Sequence, residues 1–273
     1  MALAPFARQL RINGTSQSYT GGPFRIVHHT TEGSNASGAF SAYRAQLEEP
    51  HFTIEGPTIF QHLDTAGSSF SLKHTGSPQT NRLSAIQIEV VGFFSHPKSL
   101  TTLLSIAKLC RWIEETHGVP KVWPNGFPVR KPDPSPADPA RNVANWISKG
   151  GHYGHCHVPE NDHFDPGYSP AEVHIIMQDV AVVVNGHTIP EAGGYMSDTG
   201  HVQAWIRPIA TAIGAAITDV HASSITLEKD TVSLPLPADV SDGFAFAPLG
   251  LLSGLPNVTV AFDNATRTLS ITA

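Results

Sequence analysis

Histidine is the residue type that singles out one part of this sequence. The chain has 273 residues and 15 histidines, and eleven of those histidines lie between His28 and His163. Imidazole is the commonest metal ligand in proteins, and its charge changes near neutral pH, so histidine serves both metal binding and proton transfer. The N-terminal part of the chain is therefore predicted to carry the chemistry.

Three side chains in this part are candidates for a catalytic zinc site. His28 ends a short apolar run, and His157 and Asp165 lie eight residues apart around a proline-containing loop. A zinc ion with three protein ligands keeps one position open, lowers the pKa of bound water to roughly 7 and polarises a carbonyl group, as amide hydrolysis requires. The spacing matches neither the HExxH pattern nor a zinc finger, so these residues by themselves indicate a metal hydrolase of unspecified substrate. Each residue alone also fits a structural role, as a hydrogen-bonded histidine or a turn.

Such side chains need a rigid frame, and the hydrophobic pattern predicts strands and helices that would provide it. The run Phe24–His29 has β-branched residues and no helical period, which is typical of a buried strand. Apolar residues across Ser99–His117 follow a helical spacing that ends at Gly118. The other predicted elements are a helix over Asn35–Leu47 capped by Asn35 or Ser37, a hairpin of His51–Glu55 and Thr58–Leu63, a strand over Ser84–Phe93, and a helix from about Ser169.

The proline-rich stretch 119–141 is expected to line or cover a site, because long loops in compact domains usually serve a function. After Asp179 histidine becomes sparse and β-branched residues increase, with short predicted strands at Val180–Asn185, Val258–Phe262 and Thr268–Thr272. We therefore expect an N-terminal lead-in over residues 1–22, a catalytic domain over 23–178 and a small domain over 179–273.

Composition excludes several classes of function. The net charge is −6 with 17 lysines and arginines, and no basic cluster is present, which argues against nucleic acid as a partner. Two cysteines cannot build a disulfide framework. No stretch approaches the roughly twenty apolar residues of a membrane helix, and the N-terminus lacks the apolar core of a secretory signal. We expect a protein without membrane insertion or a signal peptide.

Residues 24–167 resemble the zinc-dependent N-acetylmuramoyl-L-alanine amidases, the superfamily of phage lysozyme-type amidases and animal peptidoglycan recognition proteins. The segment around His155 is especially similar to the lysins of phages that infect actinobacteria. The resemblance is carried by Arg25-Ile-Val-His-His-Thr30, His51-Phe-Thr-Ile, Thr58-Ile-Phe-Gln61, His74, Asn81, Ser84-Ala-Ile-Gln-Ile-Glu-Val-Val-Gly92 and His155-Cys-His-Val-Pro-Glu-Asn-Asp-His163 with Asp165-Pro-Gly167.

This resemblance implies roles for individual residues. His28, His157 and Asp165 are expected to bind one zinc ion per chain. Glu89 stands where many members keep a glutamate that activates the zinc-bound water. His163 stands where the family often has lysine, and is expected to assist catalysis while positively charged. His51, His74 and Asn81 are expected to bind substrate.

Other positions depart from the family or have no assigned role. Pro50 precedes His51 where some members have a catalytic tyrosine, so that role is absent or filled elsewhere. His29 is expected to point to the opposite face of the strand from His28 and to be structural. His152 and His155 are interpreted as loop residues, with a supporting role at the metal as the alternative.

The implied fold is α/β, a mixed central sheet flanked by helices with the zinc site at the strand ends, followed by a small α+β domain. The implied activity is hydrolysis of the amide bond between N-acetylmuramic acid and L-alanine in bacterial peptidoglycan, as in an endolysin or antibacterial enzyme that reaches the wall by lysis or non-classical delivery. One alternative is a peptidoglycan-binding protein without catalysis. A structural zinc domain is disfavoured, because structural sites usually have four protein ligands.

Residues 179–273 weakly resemble the small N-terminal-type domain of copper amine oxidases, which also occurs in bacterial envelope proteins. The resemblance rests on Val182-Val-Val-Asn-Gly-His-Thr-Ile189, the segment Trp205–Gly214 and the closing hairpin Val258–Ile271. His187, His201 and His221 are scattered, so copper binding is not implied. A wall-binding or targeting role and a purely structural cap both remain open.

Overall fold

Two compact units divide the chain, one ending at Pro170 and the other beginning at Ala171. The computed structural model describes residues 2–73, 76, 78–129, 140–197, 199–241 and 243–273. The boundary falls at the start of a helix, α4 (Pro170–Met177), whereas the sequence placed it after that helix. Gly193, in the second unit, explains this difference in part: its φ is 56°, and a Cβ there would lie 2.9 Å from the Ile175 backbone, so α4 packs closely on that unit.

A six-stranded mixed sheet forms the centre of the first unit, in the order β1-β4-β3-β5-β2-β6. Strands β3, β5, β2 and β6 run parallel, and β4 is antiparallel to β3. The elements of this unit are β1 (Arg8–Gln9), β2 (Arg25–Thr30), α1 (Ala36–Gln46), β3 (Phe52–Glu55), β4 (Thr58–Gln61), β5 (Ala85–Val90), α2 (Leu100–His117), α3 (Val143–Ser148), β6 (Gly151–Gly154) and a 3₁₀ turn at His155–His157.

Local sequence explains the limits of the two long helices. Asn35 accepts a hydrogen bond from the Gly38 amide and begins α1, as expected. Ser99 caps α2 by accepting from the Thr102 amide, and Gly118 ends α2 in the left-handed conformation at φ 65°. The predicted helix over Ser99–His117 is therefore confirmed. Its buried face includes Leu103, Ile106, Leu109, Cys110 and Ile113.

Two elements of the first unit, β6 and α3, were not predicted from the sequence pattern. Strand β6 lies inside a glycine- and histidine-rich stretch, and α3 precedes it. Gly151 has φ 135°, and a Cβ there would lie 2.6 Å from the Val122 carbonyl oxygen, so the position requires glycine although glycine is rare in strands. Residues 2–22, expected as a lead-in, supply edge strand β1, which pairs in parallel with β4. Residues 130–139 of the proline-rich stretch lie outside the described residues.

The second unit is rich in short strands around a separate apolar core. Its described residues form three sheets, with strand orders β14-β15-β10-β9, β11-β12-β13 and β16-β17-β7-β8. Its elements after α4 are β7 (Ala181–Val184), β8 (His187–Thr188), β9 (Tyr195–Met196), β10 (Val202–Trp205), α5 (Ile206–Ala212), β11 (Ala216–His221), β12 (Ser224–Lys229), β13 (Val232–Pro237), β14 (Asp239–Ser241), β15 (Phe244–Pro248), β16 (Thr259–Asp263) and β17 (Thr268–Thr272). The expected α/β fold with a small α+β domain is confirmed.

Among the helices in the described ranges, none combines the length and apolarity needed to cross a bilayer.

His174 makes the stability of the second unit sensitive to acid. Its ring stacks on Tyr195 with centroids 3.4 Å apart, and burial lowers its pKa from 6.5 to about 4. The unfolded chain therefore takes up this proton at a higher pH than the folded chain does. The stability contributed by neutral His174 is complete above pH 6.5 and is lost as the pH falls toward 4, by about 1–3 kcal/mol.

We therefore predict that His174→Gln flattens the pH dependence of this unit between pH 6.5 and 4. Hydrogen exchange of peptides from residues 171–196, followed by mass spectrometry, measures the opening free energy in the intact chain. His201→Gln, at an exposed histidine of the same unit, is the matched control and should leave the wild-type slope unchanged. Equal slopes for wild type and His174→Gln would contradict the prediction.

Candidate metal centre

The pairing register of three parallel strands places side chains in a row at one edge of the sheet. His29 of β2 pairs with Glu89 of β5, and Glu89 pairs on its other side with Thr53 of β3. His28 pairs with Gly154, the last residue of β6, so His155 follows at the level of His29. Directly paired residues of parallel strands point to the same face, so His29, Glu89 and His155 meet above one face at the carboxyl ends of the strands.

Asp165 completes a buried group of three with the two histidines. His29 Nδ1 lies 3.0 Å from His155 Nδ1, and His155 Nδ1 lies 3.3 Å from Asp165 Oδ1. The third side of the triangle, from His29 Nδ1 to Asp165 Oδ2, is 3.9 Å. All three residues are buried, and their ligand atoms lie within 4.8 Å of one another.

These separations fit a tetrahedral metal ion. Ligand atoms bound to zinc at about 2.0–2.1 Å with tetrahedral angles lie about 3.3 Å apart, which is the scale of the observed triangle. Two imidazoles and one carboxylate are also a donor set that catalytic zinc sites use, with the fourth position left for water or substrate. His29, His155 and Asp165 therefore fit the zinc ion that the sequence led us to expect.

Asn161 orients His155 for this role. Its Oδ1 lies 2.8 Å from His155 Nε2, so it accepts the Nε2 proton, and Nδ1 is the nitrogen that faces His29 and Asp165. Asn161 is itself fixed, because its Oδ1 accepts from the Lys73 amide and its Nδ2 donates to the carbonyl oxygens of Lys73 and Pro159.

Asp165 is held as a carboxylate by its surroundings. Burial by itself raises the pKa of this group, but the positive potential of His155, a hydrogen bond with His155 and the Thr30 amide outweigh burial and lower it well below its usual range. The Thr30 amide donates to Asp165 Oδ2 at 2.9 Å. Burial, and then His155, hold the pKa of His29 well below its ordinary value, so its ring is neutral. Both states are those that metal ligation requires.

Glu89 lies next to the three residues without belonging to their triangle. Its Oε1 is 3.9 Å from His29 Nδ1. Burial raises its pKa well above the ordinary value, and the nearby carboxylates of Asp165 and Glu32 raise it further. Its Oε2 is buried and has no hydrogen-bond partner among the described residues. Such a carboxylate is well suited to take a proton from a water molecule beside His29.

An open cleft of about 470 Å³ lies over this group. One wall is the face of α1, with Tyr43 and Gln46, and other residues come from the loops around Glu32 and Lys73. His163 lines the cleft and stacks on His155, with ring centroids 4.3 Å apart and an interplanar angle of 11°. Its Nδ1 is 3.7 Å from Asp165 Oδ1. Burial and the neighbouring His155 lower its pKa, so the charged form expected from sequence is disfavoured.

Among the described residues, the ligand atoms of His28, His157 and Asp165 do not form one group, and His29 and His155 lie beside Asp165 instead. His28 precedes His29 on β2 and therefore points to the opposite face of the sheet, where its Nε2 lies 3.0 Å from His152 Nδ1. His157 is buried, and its Nδ1 accepts from the Gly154 amide at 3.2 Å. Of the three expected ligands, only Asp165 lies in the group under the cleft.

The residues expected to bind substrate are placed outside the cleft lining or outside the described residues. His51 is buried. Its Nδ1 accepts a hydrogen bond from the Gln87 amide, and its Nε2 donates one to the Gly67 carbonyl oxygen. Asn81 is buried and makes hydrogen bonds to the backbone of Leu72, so it fixes the loop around Leu72 that lines the cleft. His74 lies outside the described residues.

Sequence reasoning did not group His29, His155 and Asn161 with Asp165. For His29 the deciding fact is the pairing of β2 with β5, which places His29 and not His28 opposite Glu89 and which local sequence does not give. No local signal identified His155, because β6 was not recognised as a strand. Asn161 gave none, since its role depends on the fold of the loop after His157.

Comparison with solved structures finds matches of low sequence identity. The Staphylococcus aureus hydrolase AmiA in complex with its ligand is 19% identical, with a TM-score of 0.43 over 64% of this chain and 82% of that chain. The endolysin N-acetylmuramoyl-L-alanine amidase LysCS from Clostridium intestinale is 14% identical, with a TM-score of 0.41 over 63% and 95%. A selenomethionine derivative of AmpD is 14% identical, with a TM-score of 0.43 over 64% and 96%. No curated protein matches the sequence significantly.

The family profile that matches the sequence is that of N-acetylmuramoyl-L-alanine amidase. The match covers residues 22–168, which is more than half of the chain and includes the whole group of His29, Glu89, His155 and Asp165. The chain therefore belongs to the N-acetylmuramoyl-L-alanine amidase family.

Proposed function

We propose that this protein hydrolyses the amide bond between N-acetylmuramic acid and L-alanine in bacterial peptidoglycan, with one zinc ion held by His29, His155 and Asp165. The observation that carries the proposal is the convergence of these three ligand atoms within 4.8 Å under an open cleft, in a chain of this family. A zinc ion in this place supplies a bound water of lowered pKa and polarises the scissile carbonyl group.

Glu89 acts as the general base in this proposal. Its carboxylate is 3.9 Å from His29 Nδ1, close enough to reach a water molecule held beside the three ligands. Its raised pKa brings the carboxylate closer to the range where it can accept a proton in one step and return it to the leaving amine in the next. A glutamate with its ordinary pKa, fully exposed to water, would be a weaker base.

His163 is placed to contact the reacting group from the side. Its ring lies along His155 on the cleft wall, and a little more than half of its side chain is exposed. From there it can donate a hydrogen bond to the carbonyl oxygen or the leaving nitrogen. The role of His163 in catalysis and the wall-binding or targeting role of residues 179–273 remain predictions.

The alternative function is peptidoglycan binding without hydrolysis. The two functions are distinguished by whether the protein releases reaction products from cell walls. Mass spectrometry of digested walls should reveal stem peptides with a free alanine amine and peptide-free glycan strands. Binding to walls without release of either product would contradict the proposed activity. Walls from several bacteria would also show which stem peptides are accepted.

The first prediction of this proposed function distinguishes the proposed ligands His29 and His155 from His28 and His157, which the sequence led us to expect. His29→Ala, His155→Ala and Asp165→Asn should each remove the zinc ion bound under the cleft and reduce hydrolysis by more than about 100-fold, since even changing a residue that only hydrogen-bonds to a metal ligand costs about 10–100-fold. His157→Ala, two residues from His155 on the same 3₁₀ turn, is the matched control and should retain this ion. Zinc content by mass spectrometry and wall hydrolysis are the measurements. Loss of the ion in His157→Ala but not in His155→Ala would reverse the assignment.

The second prediction tests Glu89 as the base. Glu89→Gln should keep zinc and the fold but lower kcat by about 10²–10⁴, because the amide cannot take the proton. Glu32→Gln, at a second acidic residue of the cleft, serves as the control and should have a much smaller effect. An unchanged kcat in Glu89→Gln with full zinc content would exclude the assigned role.

The third prediction concerns Asn161. Asn161→Ala should weaken zinc binding by about 10–100-fold, because His155 loses the acceptor that fixes its tautomer. Asn161→Asp keeps an acceptor at the same place and should restore most of the affinity. Competition with a zinc chelator gives the affinities. If the alanine and aspartate variants bind zinc equally, Asn161 does not act through the His155 hydrogen bond.

A further inference from the structure

A second group of potential ligands lies on the face of the sheet opposite the cleft. His28 of β2, His152 of β6 and Cys110 of α2 are fully buried, and one ligand atom of each lies within 4.8 Å of the others. We propose that these three residues form a second, thiolate-containing metal site that binds one zinc-class ion and has a structural role. This site is distinct from the proposed catalytic site and does not depend on it.

The geometry suits a small ion. His28 Nε2 and His152 Nδ1 lie 3.0 Å apart, close to the separation of about 3.3 Å between two nitrogens bound to one tetrahedral zinc ion. Cys110 faces them from α2, and zinc–sulfur bonds are longer, about 2.3 Å, so a thiolate within the observed group can complete the triangle. His28 and His152 come from adjacent parallel strands, where Ile26 pairs with His152, so the backbone fixes both histidines on one face.

Both histidines have partners on the ring nitrogen that faces away from the group. Glu114, one helical turn after Cys110, lies with Oε1 2.9 Å from His152 Nε2 and also contacts Arg111. A carboxylate behind a histidine is the usual support of a metal ligand, because it fixes the tautomer that directs the other nitrogen at the ion. His28 Nδ1 lies 3.4 Å from the Tyr168 hydroxyl group, which serves in the same way.

Without an ion, the same residues form a hydrogen-bonded chain. His152 Nε2 donates to Glu114, so His152 Nδ1 is free of a proton and accepts a hydrogen bond from His28 Nε2. The Cys110 thiol is protonated in this arrangement, because burial raises its pKa. Binding of a divalent ion would replace the His28–His152 hydrogen bond with two metal–nitrogen bonds, and the proton of His28 Nε2 would move to Nδ1, which faces the Tyr168 hydroxyl group. The thiol proton is released to solvent, and a thiolate–metal bond forms.

The donor set indicates which ion would bind. A thiolate with two imidazoles favours zinc and excludes magnesium and calcium, which prefer oxygen ligands. The rings of Trp123 lie 5.0 Å from His28 and 5.3 Å from His152, centroid to centroid, so aromatic surface encloses the group. An ion in such a place would join α2 to the central strands and would not meet substrate.

Cobalt(II) is the probe that tests this proposal, because thiolate ligation gives an intense near-ultraviolet charge-transfer band that histidine and carboxylate ligation do not give. The full chain is produced in cobalt-containing medium, so that buried sites are loaded during folding. The wild type should contain two cobalt ions per chain and show the band. Cys110→Ser should contain one ion and lack the band.

Two variants separate the sites. Asp165→Asn should lose the ion under the cleft but keep the band, whatever happens to catalysis. Cys156→Ser, at the other cysteine, should keep two ions and the band. A wild-type protein without the band, or loss of the band in Cys156→Ser with retention in Cys110→Ser, would overturn the proposal. The wild-type and Asp165→Asn measurements decide the matter even if Cys110→Ser does not fold.

Discussion

The register of β2 between β5 and β6 is the constraint on which both groups of ligands depend. Alternation along β2 sends His29 to the cleft and His28 to the face covered by α2. The parallel pairings then give His29 its neighbours Glu89 and His155, and give His28 the neighbour His152. A slip of one residue would exchange the two faces and leave each histidine among the wrong partners. Ile26 and Val27, which precede the histidines on β2 and are fully buried on its two faces, would change faces as well, which makes such a slip costly.

Burial of many titratable groups at the centre of one sheet requires specific compensation. An isolated buried charge is expensive, so the protein either neutralises each group or gives it a partner. Burial keeps His28 and His29 neutral and raises the pKa of Glu89, whereas the Thr30 amide and His155 keep Asp165 ionised. These opposite states within a few ångströms are what a hydrolytic metal site needs, namely an anionic ligand, neutral imidazoles and a base that can hold a proton.

The sequence predicted the frame of this site better than its members. Strand β2, helix α2 and the β3–β4 hairpin were predictable because apolar periodicity and caps such as Ser99 and Gly118 are local signals. Asp165 and Glu89 followed from the family resemblance, and both line the cleft, whereas their roles stay predictions. His29 and His155 were not recovered, because the face of a strand residue depends on pairing between distant segments, and because Gly151 and Gly154 hid β6. His51 and Asn81 could not be distinguished from substrate ligands until their hydrogen bonds to the backbone were known.

The pair His28–His29 illustrates why neighbouring ligand types in a sequence need not serve one ion. In a helix, ligands on one face are three or four residues apart, whereas in a strand they are two residues apart, so consecutive residues cannot share a face. The two histidines must therefore belong to separate groups, one with Asp165 and one with Cys110. Since they share one backbone segment, an ion bound to His28 would restrain the strand that presents His29. The second group would then contribute to the precision of the cleft by holding β2, β6 and α2 together, without contact with the substrate.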